Sequence, residues 1–214
     1  MLDRTIHHNA VAASPTQDAY HGFYRAFDFL NAELFGGKLP DTMITMQRSR
    51  RSRGYFSSER FDHRRSADVV DEIALNPCTF IARPDKEIIS TLLHEMVHLW
   101  QFHFGKPSRR GYHNKQWAEK MEGFGLMPSH TGEVGGKKTG QQMTHYIING
   151  GAYDTKWKAL LKSGYTLDYQ DRQPIRPQEP RKLKVRYACP TCSIHVWGKP
   201  DLHIACVACS TRMR

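Results

Sequence analysis

Between Ile88 and Phe104 the chain is apolar almost all the way round. Ile88, Ile89, Leu92, Leu93, Met96, Val97, Leu99, Trp100, Phe102 and Phe104 leave no polar face. A helix of that kind lies inside a protein, not on its surface, so the other elements must wrap it. Pro84-Asp85-Lys86-Glu87 suits its first turn, and Gly105 with Pro107 closes it. Inside this segment stand His94, Glu95 and His98, the H-E-x-x-H pattern. Residues four apart share a helix face, so both imidazoles reach one ion. Buried polar groups without partners cost roughly several kcal/mol, and a metal satisfies both imidazoles at once. The competing reading is a chance pair of core histidines.

A third ligand is expected from His113, just ahead of a helix that Asn114 caps and that turns Trp117, Met121 and Phe124 inward. The alternative for His113 is a surface loop residue. Three neutral imidazoles leave an open position, where zinc brings a water towards neutral pKa. Glu95 is then the general base and not a ligand. Tyr112 and His103 are weak candidates for stabilising an oxyanion, and a peptide would lie extended along a sheet edge.

The flanking segments supply the wrapping. Residues 16–35 place apolar side chains at 19, 20, 23, 24, 27, 30 and 34, one face of an amphipathic helix ended by Gly36-Gly37. MITMQRS (43–49) reads as a strand, GYFSSERF (54–61) as its hairpin partner, and DEIALNP (71–77) as a third strand. Together they predict a small antiparallel or mixed sheet. Cys78 reads as a small buried hydrophobe. SHTGEVGGKKTGQQ (129–142) reads as a flexible connector or exposed basic loop, followed by a helix near 154–161 with Gly164 as its cap. RQPIRPQEPRK (172–182) is a Pro-rich, basic, extended linker.

Four of the five cysteines pair as Cys189-x-x-Cys192 and Cys206-x-x-Cys209. Two such knuckles fit a four-cysteine zinc ribbon, whose metal supplies folding energy that so short a module cannot gain by burial. His195 and His203 read as surface residues. The expected fold class is therefore α+β: a zincin-like catalytic domain over 16–127, a connector over 128–183 and a zinc ribbon over 184–214.

The formal charge of +10 calls for a polyanionic partner. Arg48, Arg50, Arg51 and Arg53 crowd one turn, Arg109 and Arg110 another, and Lys182, Lys184 and Arg186 lead into the ribbon. Contact with DNA and simple solvation of the turns both fit these residues. No run approaches the length of a membrane span and the N-terminus lacks a secretory pattern. The expectation is a cytoplasmic protein, nucleoid-associated if bacterial, with no membrane partner.

FLNAELFGGKLPDTMITMQRSRRSRGYF, EIALNP, LLHEMVHLWQ, the downstream His113 and the terminal four-cysteine ribbon together resemble the SprT-like metalloproteases, the group that includes Spartan. The resemblance covers most of 18–125 and 184–210. It implies zinc ligands His94, His98 and His113, Glu95 as base, and DNA-dependent cleavage of proteins trapped on DNA, as in DNA–protein crosslink repair. Members often carry glycine after the third histidine, where this chain has Asn114. The ubiquitin- and clamp-binding tails of the eukaryotic repair proteases have no counterpart, so a compact bacterial, plasmid or phage version is expected. Two rivals remain. One is a non-proteolytic zinc-ribbon protein that binds DNA or a transcription complex, and the other is a peptidase indifferent to DNA.

Overall fold

The computed structural model describes residues 14–50, 52–173 and 184–214. The chain divides into two compact units, residues 1–175 and 176–214.

The first unit opens with helix α1 (Pro15–Phe35), which starts where the sequence supplies a cap. The Ser14 hydroxyl accepts from the Gln17 N–H and the Gln17 side chain accepts from the Ser14 N–H, a reciprocal capping box with Pro15 behind it. Ala19, Phe23, Ala26, Phe27 and Leu30 form its buried face. Tyr24 is exposed instead, because the apolar stripe drifts past the contact surface. Gly36 ends the helix in the left-handed region at φ 65°.

Strands β1 (Met43–Met46), β2 (Gly54–Asp62) and β3 (Val69–Leu75) form a mixed sheet in the order β1-β3-β2. β1 runs parallel to β3, and β2 runs antiparallel to it. The expected β1–β2 hairpin is therefore not formed. β3 is buried from Asp71 to Leu75, so it takes the centre and the two less apolar strands flank it. Asn76 makes this arrangement workable. Its side-chain amide donates to the Ser49 and Ser52 carbonyls (2.6 and 2.8 Å) while its own N–H reaches Arg53. The basic loop between β1 and β2 is thereby clamped across the end of β3. A bulge in β2 sets Glu59 at φ 49°, and its N–H bonds the buried Asp71 carboxylate at 2.7 Å.

Residues 77–79 form a single 3-10 turn, not a buried pocket for Cys78. That thiol is half-buried, and its S–H donates to Asp171, which also pairs with Arg48 at 2.6 Å. Burial and the Asp171 carboxylate both raise the Cys78 thiol pKa.

Helix α2 (Asp85–Phe104) is the hub, as its composition demands. Ile89, Leu92, Leu93, Met96, Val97 and Leu99 point in several directions and all are fully enclosed. Each such side chain contributes about 1.5–3 kcal/mol of burial. Helix α3 (Lys115–Gly123) follows under its Asn114 cap and packs Trp117 and Met121 against the hub.

The stretch expected as a connector is folded. Strands β4 (Leu126–Ser129) and β5 (Thr144–Ile147) pair as an antiparallel hairpin. Its loop is fastened by Ser129 Oγ to the Glu133 carbonyl (2.7 Å), by Lys138 to Glu122 (3.1 Å) and by a bridge between His113 and Gly140. Helix α4 (Ala152–Lys162) then adds Tyr153, Trp157 and Leu160 to the same core that holds α1 and α2. The core thus runs well past the boundary expected at 127.

The second unit pairs β6 (Val185–Ala188) with β7 (His195–Gly198) and β8 (Ala205–Cys206) with β9 (Thr211–Arg212). Among the described residues its core is Tyr187, Cys189, Cys206 and Met213 with a few half-buried neighbours. So small a cluster cannot by itself hold a fold of this size.

Candidate metal centres and cleft

α2 carries His94 and His98 one turn apart, and His113 arrives from the loop before α3. The ring centroids lie 5.2 Å apart for His94–His98, 5.3 Å for His94–His113 and 4.7 Å for His98–His113. One nitrogen from each ring falls within 4.8 Å of the others. Trp117 forms their floor, stacked on His98 and edge-on to His113 at 4.4 Å and His94 at 4.8 Å. It holds the three rings without offering a competing acceptor.

His113 is fixed by backbone. Its N–H and C=O exchange bonds with Gly140, and Nδ1 lies 3.1 Å from the same carbonyl. A carbonyl only accepts, so Nδ1 carries the proton and Nε2 keeps its lone pair. Asn114 adds a further tie. Its Oδ1 accepts from the Trp117 N–H (3.0 Å) and from the Gln101 amide of α2 (2.8 Å). The residue that caps α3 thus also locks the third histidine's loop onto the hub.

The donor set fits zinc. The Nε2 atoms of His94 and His113 stand 3.3 Å apart. Two nitrogens on a tetrahedral zinc, each at about 2.0–2.1 Å, are separated by roughly the same distance. Burial holds His94 well below its ordinary pKa, with the neighbouring imidazoles adding to the effect. Burial likewise brings His98 down to about 3 and lowers His113. All three are neutral and able to ligate.

Glu95 lies between the ligands in sequence and is buried. Burial raises its carboxyl to about 8, and a hydrogen bond from the Phe56 N–H opposes the rise. It borders Gly54, the first residue of β2, where an added Cβ would stand 3.2 Å from Glu95 Oε1. The centre opens into a cleft of about 1490 Å³, walled by residues 52–60 along β2, by the 107–113 loop and by residues 141–145. Tyr112 is on this wall, with the Arg109 guanidinium 5.4 Å from its ring centroid. His103 is not, because its Nε2 pairs with Asp71 at 2.6 Å.

The expected basic residues separate into groups. Arg53, Arg109 and Arg110 line the cleft. Arg48 is exposed and paired with Asp171, and Arg50 is exposed. Lys184 and Arg186 are exposed in the second unit, while Arg51 and Lys182 lie outside the described residues.

His145 on β5 escaped the sequence reading. Its Nδ1 lies 3.2 Å from His94 Nδ1 and its Nε2 lies 2.8 Å from Ser90 Oγ. Burial, with Arg83 and Arg53 nearby, brings it down to about 3. The alternation in Thr144–Ile147 was the available signal, hidden behind a glycine- and lysine-rich loop.

In the second unit the sulfurs of Cys189, Cys192, Cys206 and Cys209 also gather within 4.8 Å. Cys192 and Cys206 stand 3.8 Å apart, close to the separation that Zn–S bonds of about 2.3 Å impose in a tetrahedron. The Cys192 and Thr191 N–H groups point at Cys189 and bring its thiol down to about 6. His195 and His203 are exposed and outside this cluster. Both clusters therefore fit zinc by donor type and spacing.

Comparison with known proteins agrees with this geometry. An uncharacterised protein of Salmonella typhimurium, described as lying in the mucB 3′ region, is 48% identical over 59 residues, which is 28% of this chain and 80% of that protein. The sequence profile of the SprT-like family matches residues 23–135, just over half of the chain, and spans α2 with all three histidines of the centre. With most of α1, the sheet, the hub helix and the third histidine inside that match, the chain belongs to the SprT-like family.

Proposed function

We propose that this protein is a zinc metalloendopeptidase of zincin-like build that cleaves proteins held on DNA. The family gives a metalloprotease-type function. The observation that carries the finer reading is the convergence of three neutral imidazoles beside Glu95 at the base of the cleft. When bound there by His94, His98 and His113, zinc supplies a Lewis acid and a water of near-neutral pKa. The charge of that ion would favour the ionised Glu95 carboxylate against the burial that raises it, and Glu95 would then accept the proton of the attacking water and deliver it to the departing amide nitrogen. The Phe56 N–H, on the wall of the cleft, favours the ionised form of that carboxylate.

β2 is an edge strand, and an extended peptide added along it gains main-chain hydrogen bonds. The cysteine cluster serves as a structural zinc site that folds the second unit. The net charge of +10, with Arg53, Arg109 and Arg110 around the cleft, supports DNA as the surface on which substrates are met. Among the described residues no helix is long and apolar enough to cross a membrane.

The test is cleavage of a DNA-binding protein with single-stranded, double-stranded or no DNA, beside Glu95→Gln. The variant should keep its zinc and lose about 100- to 10,000-fold in rate, the usual share of a general base. Retained cleavage would refute the mechanism, and cleavage indifferent to DNA would refute the substrate class.

A further inference from the structure

We infer that His145 is a positioning residue that fixes the tautomer and orientation of His94, so that the β4–β5 hairpin completes the metal centre. The inference rests on the metal-centre reading above and adds a residue beyond the stretch matched by the family profile, which ends at 135.

The argument follows the protons along a chain of four groups. The Ser90 hydroxyl has one proton and gives it to the Glu87 carbonyl at 2.8 Å. Its oxygen, 2.8 Å from His145 Nε2, is therefore free only to accept, so His145 carries its proton on Nε2. His145 Nδ1 is then a bare acceptor. The atom facing it at 3.2 Å is His94 Nδ1, which must donate. His94 thus holds its proton on Nδ1 and presents the Nε2 lone pair, the atom that faces His113 Nε2 at 3.3 Å. Reversing every proton would leave the Glu87 carbonyl without its Ser90 bond and place a hydrogen on His94 Nε2, where a ligand atom is needed.

The two buried ligands reach the same result by different means. His113 is set by a backbone carbonyl, and His94 by a side-chain relay that starts in its own helix. Ser90 lies four residues before His94, on the same face of α2, and His145 bridges that one-turn gap. Such outer partners usually change metal affinity by about 10- to 100-fold.

The experiment is a zinc titration of the full chain against a competing chelator, comparing wild type with His145→Ala, His145→Asn and Ser90→Ala. The four-thiolate site, identified by its charge-transfer absorption with cobalt, is the internal control. His145→Ala should weaken the histidine site by about 10- to 100-fold and leave the thiolate site unchanged. His145→Asn, whose amide oxygen replaces Nδ1 as the acceptor, should recover most of the loss. Ser90→Ala should weaken the site in the same direction by less. A histidine-site affinity within about twofold of wild type in folded His145→Ala would overturn the proposal, as would an Asn variant as weak as Ala. If the Ala protein does not fold, the Asn and Ser90 variants decide between the same outcomes. A wild-type protein that binds zinc only through thiolates would instead overturn the metal-centre reading itself.

Discussion

Gly54 sits where the edge strand meets the Glu95 carboxylate, the proposed base, and adding one methyl group there tests how closely the two are fitted. The backbone φ at Gly54 lies outside the left-handed range, so alanine brings no backbone strain and only its volume acts. An alanine Cβ would stand 2.8 Å from the Ala74 carbonyl oxygen and 3.2 Å from both Glu95 Oε1 and Thr91 Cγ2. Ordinary contact begins at 3.4 Å, so the strand falls short by 0.6 Å at the carbonyl and 0.2 Å at the carboxylate. The Ala74 carbonyl belongs to the buried central strand β3, so the edge strand β2 gives way instead and its start is displaced relative to Glu95. A misplacement of about 1 Å at a reacting group costs about 100-fold, and a shift of this size should lower kcat roughly tenfold. Overpacking should also reduce stability by about 1–3 kcal/mol. The assay is kcat for a DNA-bound protein substrate, measured beside zinc affinity, which should not change because the three atoms nearest the added Cβ belong to Ala74, Glu95 and Thr91 and not to a histidine. A Gly54→Ala enzyme with unaltered kcat would refute the claim that this glycine makes room for the base.

Other outcomes follow from the same physical reasoning. Asp154 is fully buried and receives bonds from Lys158, Lys86 and the Gly150 N–H, which hold its carboxyl well below the usual range. Its contribution to stability is complete above the unfolded aspartate value of about 3.9 and is lost as pH falls below it. Thermal melts of Asp154→Asn should therefore show a lower Tm at neutral pH, and the gap from wild type should shrink as pH drops below about 4. Cys206→Ser should remove one zinc per chain by metal analysis and unfold residues 184–214 while the first unit keeps its melting transition, because the ribbon's own core is too small to stand alone. If DNA recruits the enzyme, cleavage of DNA-bound protein should fall steeply between about 50 and 200 mM salt, and Arg109→Ala should flatten that dependence.

Helix positions were largely legible from sequence because each carries its own signals. Ser14 and Gln17 mark one start, Asn114 another, and the apolar circumference of α2 announces a central helix. The two metal clusters were legible for the same reason, since spacing of four on a helix and of three in a knuckle is local geometry. What sequence did not reveal is long-range. β1 pairs with β3 and not β2 because Asn76 clamps carbonyls more than twenty residues away, and no local pattern encodes that. His145 was missed for a related reason. A histidine in a four-residue strand signals nothing until the hairpin brings it against His94, fifty-one positions earlier. The glycines between 129 and 142 look like slack in composition, yet the chain there is fastened to Glu122 and His113.

The two-way backbone bond between His113 and Gly140 makes one atom group answerable to two events. An ion that binds only the assembled imidazoles stabilises that assembly by RT ln(1 + [L]/Kd), about 2.7 kcal/mol at a hundredfold excess over Kd. Because His113 cannot leave its place without releasing Gly140, that free energy is shared with the loop from 130 to 143. A metal bound at the three imidazoles would therefore also raise the resistance of this loop to proteolysis and hydrogen exchange, so that occupancy of the centre would be read at one wall of the cleft.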